Sequence, residues 1–404
     1  GYFITHDIYE EWALEKIIEV KFVNRTSNQE LFENIGHSLP IRRSFRNWVS
    51  EQLLLGETSI KEFIEEIIED EEIESFWKDE IIVSILLSDY SDFFFENSKD
   101  KLLINNQELL RKSILLLRIA CKEVDEELIK QLEIKDLNLF SLKYVLTKPK
   151  GQGWKSLIKF IFENLNNIGI ENICFVLPVI YDWNSKFKEG TTTRLSSLIA
   201  LHYHQWAIKK DIYLSNDDTD RLLKTILYGS LEIKNELIGI FDEIIKNQWK
   251  HYNDPYYDLS KMILTTFEGI NVCKVLPEKI LQIATLFWLY TPAQEDFFNY
   301  SGIGVDQYFG IKKNNFDYFP ASSYQTPIYW LLQVSSKKTI DFILDFTNKT
   351  VEFYAKSNLD KDVGKVEVFL EKSSSLEQYI SDRLWNMYRG TQVVVPHDLE
   401  FLMR

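Results

Sequence analysis

After Ser59 the apolar residues Ile60, Phe63, Ile64, Ile67 and Ile68 recur at three- and four-residue steps, with Glu62, Glu65, Glu66 and Glu69 between them. Successive residues of an α-helix are turned by about 100°, so this spacing gathers one apolar stripe and one acidic face, and it predicts an amphipathic helix. Ser59 and Glu62 have the spacing of a capping box at its start. Asn105 and Glu108 repeat that signal ahead of Leu109, Leu110, Ile114 and Leu117. The same periodicity predicts helices over 154–167, 171–182, 192–209, 218–228, 231–248, 258–268, 278–290, 326–334, 338–356 and 376–388. Pro277 stands where a first helical residue tolerates a missing N–H, and Gly229 where a C-terminal cap would reverse the chain. Two runs read as strands, Lys365–Phe369 and Gln392–Val395, each too short and isolated to support a sheet domain.

Only 15 glycines and 9 prolines interrupt 404 residues, and the links between predicted helices are mostly short. Successive helices should therefore pack as antiparallel hairpins. The expected fold is all-α, an irregular α-solenoid of stacked helical hairpins, because helix pairs recur at uneven lengths of roughly 35–50 residues without a strict repeat. Two seams mark the organisation: Lys148-Pro149-Lys150-Gly151-Gln152-Gly153, and the interruption at 291–325. They divide the chain into 1–50, a connector, 51–150, a helical block, and 151–404, the solenoid with its insertion. The insertion is rich in glycine and aromatic residues. Phe297, Phe298, Tyr308, Phe309, Phe316, Tyr318, Phe319 and Tyr324, with Trp330 behind them, are the candidate partner-binding residues, since a long loop is either packed or functional and aromatic side chains concentrate in binding hot spots.

A formal net charge of -15 repels phosphates and argues against a broad nucleic-acid footprint. The one dense arginine cluster, Arg42, Arg43 and Arg46, reads as a solvated helix start or a contact to a neighbouring domain. Cys121, Cys174 and Cys273 are widely spaced in apolar surroundings, which suits buried free thiols in a reducing cytoplasm and offers no zinc site. No apolar run approaches the roughly 18 residues that a membrane span needs. The chain opens in mid-pattern without an initiator Met and stops on Glu400-Phe401-Leu402-Met403-Arg404, which reads as part of a larger protein.

Candidate chemistry is sparse. Gly151-Gln152-Gly153-Trp154-Lys155-Ser156 is the nearest approach to a phosphate loop, but Trp154 takes the place of its last glycine and no strand is expected before it. His202 and His204, two apart on a predicted helix, point roughly 200° away from each other and suit no common metal. His202 falls on the apolar stripe with Leu195, Leu198, Ile199 and Trp206, as a core histidine would. Carboxylates such as Glu69-Asp70-Glu71-Glu72 and Asp217-Asp218 read as solvated faces and helix starts, and no pair has a hydrolase spacing. No catalytic residue and no metal ligand is identified.

The opening Phe3-Ile4-Thr5-His6-Asp7-Ile8-Tyr9-Glu10-Glu11-Trp12-Ala13 resembles the last part of the winged-helix region in signal-transduction ATPases of the STAND class, whose immune-receptor members carry a Met-His-Asp motif. Thr5 replaces the Met, while His6 and Asp7 match. The segments Asn315–Ser322, Gln325-Thr326-Pro327 and Leu384–Thr391 resemble parts of very large bacterial ATPases of this class that act in antiviral defence. The resemblance implies a winged-helix remnant at the N-terminus. It makes His6 the residue that senses the ADP phosphate in a parent ATPase, and Asp7 the residue that caps or orients the following helix. The parent would bind ATP and ADP; this region carries no cofactor. As a non-catalytic sensor it would recognise a protein partner, such as a viral protein, and contact the parent's own ATPase domain. The alternative is an α-helical toroid enzyme for carbohydrate or isoprenoid substrates, which requires a deep pocket with convergent carboxylates.

Overall fold

The computed structural model describes residues 3–131, 146–247, 256–289 and, apart from 333 and 343, 331–345. Among the described residues the regular structure is helical except for one two-stranded ladder, so the fold is all-α. The chain forms two compact units, Gly1–Leu222 and Leu223–Arg404. The division falls inside a helix, and the seam expected at 148–153 lies within the first unit. The strand-like runs Lys365–Phe369 and Gln392–Val395 lie outside the described residues.

The first unit opens with α1 (Phe3–Val23), α2 (Asn28–Ile35), α3 (Leu39–Leu55), α4 (Thr58–Glu69) and α5 (Ser75–Leu87). Helix α3 packs against both α1 and α5. Between them, Phe22, Phe32, Phe45, Trp48, Phe63 and Trp77 form one ring cluster, with Phe32 stacked on Trp77 at 4.7 Å and Phe22 edge-on to Phe63 at 5.2 Å. Such pairs add about 1 kcal/mol each beyond the area they bury. The predicted stripe of α4 is observed: Ile60, Phe63, Ile64 and Ile67 are buried and Ile68 half-buried. Its start differs from the expectation. The helix begins at Thr58 with Glu57 as N-cap and no side-chain cap bond, so Ser59 lies inside the first turn.

Helices α6 (Ser91–Asn97), α7 (Lys99–Leu103) and α8 (Glu108–Ala120) follow, then β1 (Lys122–Val124), α9 (Glu126–Gln131) and β2 (Thr147–Pro149). The strands pair antiparallel, Glu123 opposite Lys148. Helices α10 (Gly153–Glu163), α11 (Leu165–Ile168), α12 (Ile173–Lys186), α13 (Thr191–Lys210) and α14 (Asn216–Tyr228) complete this part of the chain. Helix α10 packs on α5, α6, α12 and α13. The capping box expected at Asn105 is absent. Asn105, Asn106 and Gln107 have φ of 47°, 56° and 59°, and Gln107 precedes α8 in the left-handed region. Asparagine tolerates that region better than other side chains, so the two asparagines mark a left-handed turn, not a cap. Gln107 is anchored by donating from Nε2 to the Asn167 carbonyl at 3.0 Å.

In the second unit α15 (Lys234–Asn247), α16 (Tyr257–Thr265) and α17 (Ile270–Val275) each pack against α18 (Pro277–Leu289). Their core holds Leu237, Phe241, Ile244, Leu259, Ile263, Ile280 and Ile283. Pro277 begins α18 as expected. Gly229 follows α14 directly, although it does not enter the left-handed region.

Candidate protein-binding site

The polar groups of the first unit are largely consumed in holding helices together. Glu80 on α5 is 3% exposed. Its Oε1 accepts from Arg42 Nε at 2.9 Å and its Oε2 from Arg46 Nε at 2.8 Å, so two guanidiniums from α3 neutralise one buried carboxylate. The arginine cluster therefore turns inward to α5 within its own unit, where a solvated helix start or a contact to another domain was expected. Arg42 also lies 5.0 Å from the Phe76 ring centroid. A second clamp joins α8 to α12. Asp182 Oδ2 accepts from Arg118 Nε at 3.1 Å and from Lys122 Nζ at 2.9 Å. One heptad earlier on α8, Arg111 Nη2 donates to Asn172 Oδ1 at 2.7 Å while its guanidinium lies 4.6 Å from the Phe175 ring centroid. Positions seven apart share a helix face, which is why one side of α8 supplies both arginines.

The glycine-rich segment before α10 also serves packing. A three-residue strand does precede it, contrary to expectation, yet the segment presses on the backbone of α5. A Cβ on Gly151 would stand 2.8 Å from the Leu86 carbonyl oxygen, and one on Gly153 would stand 2.5 Å from it. Gly151 has φ of 90°, and Trp154 is fully buried with its Nε1 donating to the Cys121 carbonyl at 2.7 Å. The glycines let two backbones touch, and the space beside them is filled by α5.

A shallow cleft between α6, α7 and α10 carries Asp92, Glu96, Lys99, Lys159, Glu163 and Asn164. Asp92 Oδ1 accepts from Ser156 Oγ at 2.6 Å, and Glu96 lies 3.6 Å from Lys159 Nζ. A hydroxyl and a lysine thus engage Asp92 and Glu96.

The histidines and cysteines differ from expectation in detail. The buried histidine is His204, not His202: burial holds the His204 imidazole down at about 4, while His202 is half-buried against Trp206, ring centroids 5.4 Å apart. Helix α13 packs against both α10 and α12. Cys121 and Cys273 are buried, and burial pushes the Cys121 thiol up to about 12. Cys174, expected in the core, is exposed. Among the described residues no cluster of three histidine, cysteine, aspartate or glutamate side chains could hold a metal, and no helix is long and apolar enough to cross a membrane.

What the polar clamps leave over is an apolar surface on α1. Its inner face buries Ile18 and Phe22, the latter 4.9 Å from the Trp48 ring and capped by the Arg25 guanidinium at 3.8 Å. Glu15, turned toward α3, has its carboxyl raised by burial and by the neighbouring Glu51. The outer face exposes Tyr9 (66%), Trp12 (62%), Ile17 (50%), Val20 (58%) and Val23 (74%). At about 100° per residue these five fall within one stripe roughly 140° wide. Lys16 lies inside the stripe and its Nζ donates to Glu19 Oε2 at 2.8 Å. Single exposed apolar residues need no explanation, but a contiguous stripe is a candidate binding surface. The sequence carried the signal for this face, since apolar residues lie on both sides of α1 and one neighbour can cover only one side.

Of the residues singled out from sequence, His6 lies in the first turn of α1, and its side chain is outside the described set. Asp7 lies beside it inside the helix, so it does not cap one. Phe297, Phe298, Tyr308, Phe309, Phe316, Tyr318, Phe319, Tyr324 and Trp330 all lie outside the described residues. No protein-family model matches the chain, and no curated protein matches it either.

Proposed function

We propose that this chain is a helical protein-interaction region, the non-catalytic sensor part of a nucleotide-gated STAND-class switch that recognises a protein partner in bacterial antiviral defence. The observation that carries the interaction reading is the exposed apolar stripe of α1, Tyr9, Trp12, Ile17, Val20 and Val23, beside a first unit whose buried carboxylate is already clamped. The switch reading rests on the resemblance around His6-Asp7, which continues directly into that stripe. In such a parent, ATP and ADP would bind the ATPase domain, His6 would report on the ADP phosphate, and the whole would work in the cytoplasm. A partner that binds one state better than the other shifts the equilibrium, and moving it from mostly closed to mostly open takes about 5 kcal/mol of differential binding.

The test is affinity capture from bacterial cells with and without phage infection, comparing the wild-type chain with Trp12→Glu/Val20→Glu. Both positions are exposed, so the variant keeps the wild-type melting temperature. The reading expects proteins captured by the wild type and lost with the variant; identical sets from both chains overturn it.

A further inference from the structure

The exposed face of α1 has a sequence that is complementary to itself when reversed. Along one edge of the stripe, Trp12, Lys16, Glu19 and Val23 follow one another at steps of four, three and four. Setting a second α1 antiparallel, with residue 12 opposite residue 23, brings residue 16 opposite residue 19. Each Trp12 then faces a Val23 and each Lys16 faces a Glu19, and the two-fold axis repeats both pairs. In the same register Val20 lies between Ala13 and Ile17 of the other copy, where the small Ala13 leaves room for it. Isologous pairing of this kind is how most homodimers form, because one patch serves both partners. Antiparallel helices choose their register by such flanking opposite charges.

We propose that α1 pairs antiparallel with α1 of a second copy of this chain, through the Trp12–Val23 and Lys16–Glu19 contacts. The proposal rests on the reading of the α1 outer face as an interaction surface, and it names the occupant. The charge arrangement favours a second copy over an unrelated partner. Within one chain Lys16 already pairs with Glu19, 2.8 Å apart and both well exposed, so a neutral stripe with one central cation and one central anion fits best onto its own reverse. A helix of 21 residues is about 31 Å long, so a single such pair is a small interface and the dimer is concentration-dependent.

The experiment is sedimentation equilibrium of the full chain over about 1 to 200 μM, the range suited to a small interface. Wild type should pass from monomer to dimer. Lys16→Glu alone, which sets four acids together, and Glu19→Lys alone, which sets four cations together, should each weaken dimerisation at least about tenfold. Mixing those two single variants should give a 1:1 heterodimer, and the double swap Lys16→Glu/Glu19→Lys should dimerise as the wild type does. Trp12→Glu/Val20→Glu should stay monomeric with an unchanged circular dichroism spectrum. A wild-type chain that is monomeric throughout, a dimer indifferent to Trp12→Glu/Val20→Glu, or a mixture that forms no heterodimer overturns self-pairing. If the wild type is monomeric but captured partners are still lost with the double variant, self-pairing fails and the interaction reading stands. If the two chains behave alike in both assays, both fail.

Discussion

Helices α1 and α5 have the same defect as amphipathic helices and opposite fates. Both carry apolar residues around most of their circumference, so neither shows a single stripe against a polar face. In α5 every side is covered: Trp77, Ile81, Ile82, Val83, Ile85 and Leu86 are all buried, because α3, α4, α6, α8 and α10 surround it. In α1 the inner side is covered by α2 and α3, and the outer side meets solvent. A helix apolar all round belongs in a core. One that is apolar all round yet half exposed has either kept a surface for another macromolecule or carries an aggregation liability. The polar residues draw the same distinction. The buried acid of α5, Glu80, is held by two arginines, whereas Glu19 on the outer side of α1 pairs with Lys16 in water, where such a bond contributes little.

The largest effects are expected on the α5 side. Trp77→Ala removes the ring that stacks on Phe32 and meets Phe45 edge-on at 5.1 Å, and it should cost about 4 kcal/mol by denaturant unfolding. A cost under about 1 kcal/mol would mean that α5 is not the buried centre of its unit. Much of this region was legible in the sequence. The stripe of α4 and most helices expected from 154 to 290 are observed with shifted ends, because the burial that fixes them is periodic; the helix expected over 154–167 is broken at Asn164, and α17 (Ile270–Val275) was not expected. Caps and clamps were not legible. Ser59 and Asn105 carry capping chemistry, but whether such a residue caps depends on the chain's entry angle, which tertiary packing sets. Glu80 reads as one more acid in an acidic chain, and only the approach of α3 gives it Arg42 and Arg46.

His204 extends the buried side of the comparison into pH dependence. Burial lowers its pKa from about 6.5 to about 4, so the unfolded chain takes up a proton in that window while the folded chain does not. The stabilising contribution is therefore full above the unfolded value and is lost as pH falls through the window, by about 3 kcal/mol at its lower end. The difference in unfolding free energy between wild type and His204→Asn should shrink by that order from pH 7 to pH 4; a difference independent of pH would remove the buried-histidine account. Gly153→Ala comes next. Its Cβ would meet the Leu86 carbonyl oxygen and Cα, which are backbone and cannot swing aside. A loss of about 2 kcal/mol is expected, the ordinary cost of overpacking a close contact. An unchanged melting temperature would show that α5 and the α10 start can separate freely.

The smallest expected effect sharpens the comparison most, because it sets two identical residues side by side on α1. Ile17 is half exposed on the outer stripe, and Ile18, the next residue, is fully buried against the inner core. Helix propensity treats them alike, so any difference reports the surroundings. Ile18→Ala should cost about 3 kcal/mol, as deletion of a packed isoleucine does. Ile17→Ala should stay within about 0.5 kcal/mol, as surface replacements do. Measured at low concentration, where an isolated chain has only its own fold to lose, the pair separates two explanations of the outer stripe. Equal costs would mean that the outer face is covered within the chain and holds the fold. A cost confined to Ile18 leaves the outer face without a role in the stability of the isolated chain, which is what the proposed interaction surface requires.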